Sequence, residues 1–118
     1  LEVGQALAWL ERLPGVGRKV PASTLNFSTL RMPALVVDSH VLRVLGRFGV
    51  VPRGADTAPA FERVMEVLPG WSAFELAELH ILLKRLGQTL CPADAACCGD
   101  CPVRERCRSA PRRLRAAA

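Results

Sequence analysis

The sequence contains no tyrosine, and aromatic residues make up only 5% of it. A stacking surface for single-stranded nucleic acid is therefore poorly supplied, and Trp9 and Trp71 read as core or rim residues. No run of about 18 apolar residues occurs, so no membrane-spanning helix is indicated. The start carries neither a basic n-region nor an apolar h-region, so secretion is not indicated either. The first residue is Leu1 rather than Met, and the chain reads as a piece that begins mid-protein. No strand-like alternation and no repeat at solenoid spacing is visible. Cysteine is absent before Cys91, which does not fit a disulfide framework spread along the chain.

What is present points elsewhere. The 118 residues are 50% hydrophobic, enough to bury the core of one domain or of two small lobes. The net charge is +5, which favours a polyanionic partner, nucleic acid first, over a basic protein without one. Arg104, Arg106, Arg108, Arg112, Arg113 and Arg115 crowd the C-terminal end, opposed only by Glu105.

Apolar spacing predicts helices nearly throughout, and the fold class is all-α. Val3, Ala6, Leu7, Leu10 and Leu13 follow helical spacing up to Pro14–Gly15. A second helix starts near Gly17 or Arg18 and ends before Pro33, with Pro21 tolerated in its first turn. Asp38 is a natural N-cap for a helix carrying Val41, Leu42, Val44, Leu45 and Phe48, with Gly46 and Gly49 marking its far end. Asp56 or Thr57 can cap the next helix, and Ser72 with Glu75 forms a capping-box pattern for a fourth that runs to Gly87. His40 and His80 read as structural, and Arg43 as a partner for a carboxylate or phosphate.

The five cysteines are Cys91, Cys97, Cys98, Cys101 and Cys107. Thiolates gathered like this suit a tetrahedral zinc site or an iron–sulfur cluster. Spacing alone leaves both open, although zinc sites more often pair two CxxC knuckles and here there is one, Cys98 to Cys101.

"LPGVGRKV", Leu13 to Val20, sets two glycines around one apolar residue and runs into two cations. A helix ending at Pro14–Gly15 and another beginning at Gly17 make a helix-hairpin-helix. Glycine permits positive φ and close backbone approach. Outward N–H groups at a helix N-terminus bind anions, and a DNA phosphate is the natural one. Val16 would anchor the hairpin, and such contacts position a duplex without reading it. The plainer reading is an αα-turn with a glycine C-cap.

Taking Cys91, Cys98, Cys101 and Cys107 as ligands gives C-x6-C-x2-C-x5-C, which resembles the iron–sulfur loop of the endonuclease III family of DNA glycosylases. "LPGVGRK", then "VVDSHVLRV", then the cysteine loop is also that family's order. The resemblance covers essentially the whole chain and corresponds to the C-terminal half of such an enzyme. It implies a helix-hairpin-helix glycosylase fold, with residues 1–36 closing a helical barrel and residues 37–118 forming the cluster-side lobe. Within that lobe 91–107 is the 4Fe–4S loop, with Cys97 a bystander, and 108–118 is a basic tail.

The activity implied is base excision from double-stranded DNA, with oxidised pyrimidines as targets, followed by strand nicking at the abasic site. Lys19 matches the family's nucleophile and Asp38 its catalytic aspartate. The chemistry is coherent on its own terms. A neutral amine attacks C1′ to give a Schiff base and permits β-elimination. A helix N-terminus and Arg18 disfavour the protonated amine. A carboxylate stabilises a sugar cation or moves protons. Without the resemblance, the plainer readings are favoured: Lys19 as one more phosphate contact and Asp38 as a cap alone. DNA contacts are expected from Leu13, Gly15, Val16, Gly17 and Arg18. Between Cys91 and Cys98 the family loop is usually basic, whereas this one is "PADAAC", so the basic role is expected to move to Arg104, Arg106 and Arg108. Base flipping is required, and the pocket for the flipped base comes partly from the half not present. The resemblance further implies a cytoplasmic, nucleoid-associated protein, monomeric when full length. The competing readings are a non-catalytic DNA-binding module and an iron–sulfur electron carrier.

Overall fold

Val3, Ala6, Leu7 and Leu10 recur at helical spacing, and the chain is helical there: α1 spans Val3–Glu11. The computed structural model describes residues 3–12 and 32–116, so the stretch from Leu13 to Val20, where a helix-hairpin-helix is expected, and the helix expected after it lie outside the described residues. Ala34, Leu35, Val36 and Val37 then form a buried segment without regular secondary structure that leads into Asp38.

Asp38 starts the next helix as expected. Its side chain accepts the Val41 N–H at 2.8 Å, and α2 runs Ser39–Phe48. Val41, Val44 and Leu45 are its buried stripe, the i, i+3, i+4 pattern of one helical face. The helix ends at Gly49, whose φ of 106° needs glycine and whose N–H returns to the Leu45 carbonyl at 3.0 Å. Gly46, expected to mark that end too, lies within the helix. The returning 52–53 backbone packs over it, with Arg53 Cα 3.7 Å from where a Cβ would stand.

α3 spans Thr57–Val67 and buries Ala60, Phe61 and Val64. Asp56 occupies its N-cap position, but its side chain makes no capping bond. α4 spans Ala73–Gln88 and starts with the expected capping box. Ser72 Oγ accepts the Glu75 N–H, and Glu75 Oε1 accepts the Ser72 N–H, each at 3.1 Å. Beyond α4 only two short 3-10 turns are regular, Cys98–Asp100 and Arg112–Leu114. Among the described residues all regular structure is helical.

One core joins the four helices. Ala6 and Leu7 of α1, Leu35 of the segment before Asp38, Val41 and Leu45 of α2, Phe61 and Val64 of α3, and Leu76 of α4 pack together. Each large side chain buried there contributes about 1.5–3 kcal/mol. Trp9 and Trp71 stay at the rim, 57% and 37% exposed. α2 packs on α4 and is tight at Gly87, where a Cβ would stand 3.1 Å from His40 Cβ and 3.2 Å from the His40 carbonyl oxygen. His80, buried in α4, donates from Nδ1 to the Val36 carbonyl at 2.8 Å. That bond ties the buried segment before Asp38 to the helix facing it.

Candidate active site and cysteine loop

Asp38 is 8% exposed at the N-terminus of α2. The helix dipole and the first-turn N–H groups favour a carboxylate there. The two oxygens have different duties. Oδ1 is the cap, and Oδ2 faces Lys84 of α4, whose Nζ lies 3.9 Å away. Lys84 is 46% exposed. The α2–α4 packing thus puts an amine beside the carboxylate that sequence reasoning had singled out. The other member of the expected pair, Lys19, lies outside the described residues, as do Leu13, Gly15, Val16, Gly17 and Arg18.

From Asp38 a basic surface runs along α2. An open groove of about 450 Å³ begins at Ser39 and is lined by Arg43, Arg47 and Arg53. A second, of about 510 Å³, shares Gly46, Arg47 and Arg53 with it and continues to Arg63 and Arg108. The helix rises about 1.5 Å per residue, so ten residues span about 15 Å, roughly four steps of a duplex at 3.4 Å each.

The far end of α2 holds the cysteine loop. Arg47 Nη1 donates to the Pro92 carbonyl at 2.7 Å and to Cys91 Sγ at 3.3 Å, and Nη2 donates to the Ala93 carbonyl at 3.0 Å. Arg43 sits one turn earlier. Its Nε reaches the Cys91 carbonyl at 3.2 Å, and its Nη2 reaches the Gly87 carbonyl at 2.6 Å and His40 Nδ1 at 3.2 Å. Arg43 was expected to pair with a carboxylate or phosphate; here it holds backbone carbonyls instead. The loop returns the contact. Arg108 N–H donates to the Phe48 carbonyl at 3.2 Å, and Ser109 Oγ to the Arg47 carbonyl at 2.6 Å. These donors satisfy carbonyls that the last turn of a helix leaves open.

Cys91, Cys98, Cys101 and Cys107 all line one apolar cavity between the C-terminal end of α2, the end of α4 and the loop. Cys97 is not among its walls and is exposed. The five thiols are free of disulfides. Among the described residues no group of three or more His, Cys, Asp or Glu side chains is gathered to hold a metal ion. Arg47 and Arg104 also face the cavity, bringing positive charge where thiolates would need it. Arg104 donates from Nη1 to the Cys101 carbonyl at 2.8 Å, so its guanidinium is engaged by its own loop. Arg106 is exposed. Of these three arginines, Arg108 is the one lining the basic groove.

Sequence reasoning missed Arg47, Arg53 and Lys84. Arg47 carried a faint signal, one helical turn after Arg43 on the same face. Lys84 carried none, being far from Asp38 in the chain.

No protein-family model matches the chain. Among curated proteins it is 34% identical over 106 residues to endonuclease III of Escherichia coli (strain K12), covering 90% of this chain and 48% of that protein. It is 37% identical over 98 residues to endonuclease III of Rickettsia conorii, covering 83% and 44%. A solved structure described as a trapped endonuclease III–DNA covalent intermediate superposes with a TM-score of 0.74 at 30% identity, covering 97% of this chain and 52% of that one. The chain spans about half the length of the curated relatives it matches. On its helical fold and its likeness to these proteins over most of its length, the chain belongs to the endonuclease III family.

Proposed function

We propose that the protein is a base-excision DNA N-glycosylase with abasic-site lyase activity, acting on oxidised pyrimidines in duplex DNA. The observation that carries the reading is Asp38. It is buried at a helix N-terminus with one oxygen bound as the cap and the other facing Lys84, one residue before Ser39 at the head of a basic groove. A cap alone needs one oxygen; in this reading the second, beside Lys84, meets the reacting sugar.

In this reading Lys19 is the nucleophile. Its amine attacks C1′, the damaged base leaves, and the resulting Schiff base makes the 2′ proton acidic enough for β-elimination. Asp38 stabilises the cationic sugar as charge develops. Arg53, Arg63 and Arg108 hold backbone phosphates along α2, together with the hairpin residues Leu13, Gly15, Val16, Gly17 and Arg18.

Cys91, Cys98, Cys101 and Cys107 are the residues that would hold a 4Fe–4S cluster. Their shared cavity, with Cys97 outside it, supports that ligand set over any other four of the five. When bound, the cluster cross-links a loop with little core of its own. Arg43 and Arg47 hold the first ligand's backbone, and Arg47 lends its N–H to that ligand's sulfur.

The test is strand nicking of a duplex carrying one abasic site. The unmutated protein is expected to nick, and Lys19→Ala to nick at least about 100-fold more slowly while still binding the duplex. Binding without nicking by the unmutated protein would favour a DNA-binding module instead.

A further inference from the structure

The sequence draws its positive charge almost wholly from arginine. Lys19 and Lys84 are its only lysines. Arginine stays protonated in proteins, so these two residues carry the only side-chain amines able to form a Schiff base. Lys84 has its Nζ 3.9 Å from Asp38 Oδ2 and is 46% exposed. Asp38 is itself fixed by the Val41 N–H. A nucleophile beside a base, with the base oriented by a third group, is the arrangement that activates weak nucleophiles, and apo distances for such pairs run long.

We propose that Lys84 is a second amine of the active site, able to form a Schiff base with an abasic sugar. This rests on the reading of Asp38 as the group that meets the reacting sugar. The Lys84 ammonium gives a proton to Asp38 Oδ2, and the neutral nitrogen attacks the C1′ aldehyde of the ring-opened sugar. The carbonyl electron pair moves to oxygen, and the resulting carbinolamine is protonated and loses water to leave a C1′–N iminium. Removal of a 2′ proton then sends electrons to break the C3′–O bond, and the 3′ strand departs with its phosphate.

The experiment is borohydride trapping on duplex DNA with one abasic site, followed by peptide mapping of the reduced adduct. The unmutated protein is compared with Lys19→Ala and with Lys19→Ala/Lys84→Arg. Arginine keeps the cation beside Asp38 but cannot form the imine, so the double variant retains the ion pair. An amine misplaced by about 1 Å loses on the order of 10²-fold in rate. Lys19→Ala is therefore expected to form adduct about 100-fold more slowly, mapping to Lys84, and the double variant to form none. An unmutated adduct with none in Lys19→Ala overturns this inference and leaves the proposed function standing. So does a residual adduct that maps elsewhere or persists in the double variant. No adduct from unmutated protein that binds the duplex overturns both.

Discussion

Replacing Gly87 by alanine tests the α2–α4 packing that sets Asp38 and Lys84 side by side. In an open helix the change stabilises by up to about 1 kcal/mol. At Gly87 the added Cβ would meet His40 Cβ at 3.1 Å, Arg43 Nη2 at 3.2 Å and the His40 carbonyl at 3.2 Å. The arginine end can move, but the carbonyl belongs to the first turn of α2 and cannot move without the helix. Overpacking of this kind costs about 1–3 kcal/mol. The cost wins, and the net effect is a loss of about 1 kcal/mol. Gly4 in α1 is the control, because nothing lies within 4 Å of its added Cβ. Gly4→Ala is expected to stabilise by a few tenths to about 1 kcal/mol. Thermal unfolding reads both, at about 4 °C per kcal/mol for a chain of this size. One substitution should therefore lower Tm and the same substitution elsewhere should raise it. If Gly87→Ala raised Tm as Gly4→Ala does, the close approach of the helices would be refuted.

Three further outcomes are expected. Asp38→Asn keeps the cap, since asparagine caps as well as aspartate, while Asp38→Ala loses about 1 kcal/mol of stability; both should nick abasic duplex at least about 10²-fold more slowly, which separates charge from capping in parallel denaturation and nicking assays. Arg47→Met removes charged bonds to Cys91 Sγ and to the Pro92 and Ala93 carbonyls, at about 1.5–3 kcal/mol for each well-made one before solvent takes over part of the role; hydrogen exchange should rise in residues 89–109 and stay unchanged in α3. Cys98→Ser should abolish bound iron whereas Cys97→Ser should retain it, measured as iron per chain.

Much of the fold could be read from local pattern. Capping residues and apolar spacing act within a turn or two, so Asp38, the Ser72–Glu75 box and the buried stripe of α2 were visible in the sequence. Gly46 misled because a glycine inside a helix and one just past its end look alike in one dimension; only the chain folding back at Pro52 and Arg53 shows why it is small. Spacing singled out the four cysteines that line one cavity, but what holds their loop was not legible. Arg43 and Arg47 reach backbone carbonyls more than forty residues away, and a carbonyl leaves no mark in the sequence. The Asp38–Lys84 pair was hidden for the same reason: it exists only where α2 crosses α4. The bond from Arg104 Nη1 to the Cys101 carbonyl was hidden in the same way.

The central claim is that an amine of this chain reacts covalently with an abasic sugar, and borohydride trapping of the unmutated protein tests it most directly. The account expects a covalent protein–DNA adduct on a duplex with one abasic site and none on the same duplex with an intact base pair there. Protein that holds iron and binds the abasic duplex, yet yields no adduct, would contradict it.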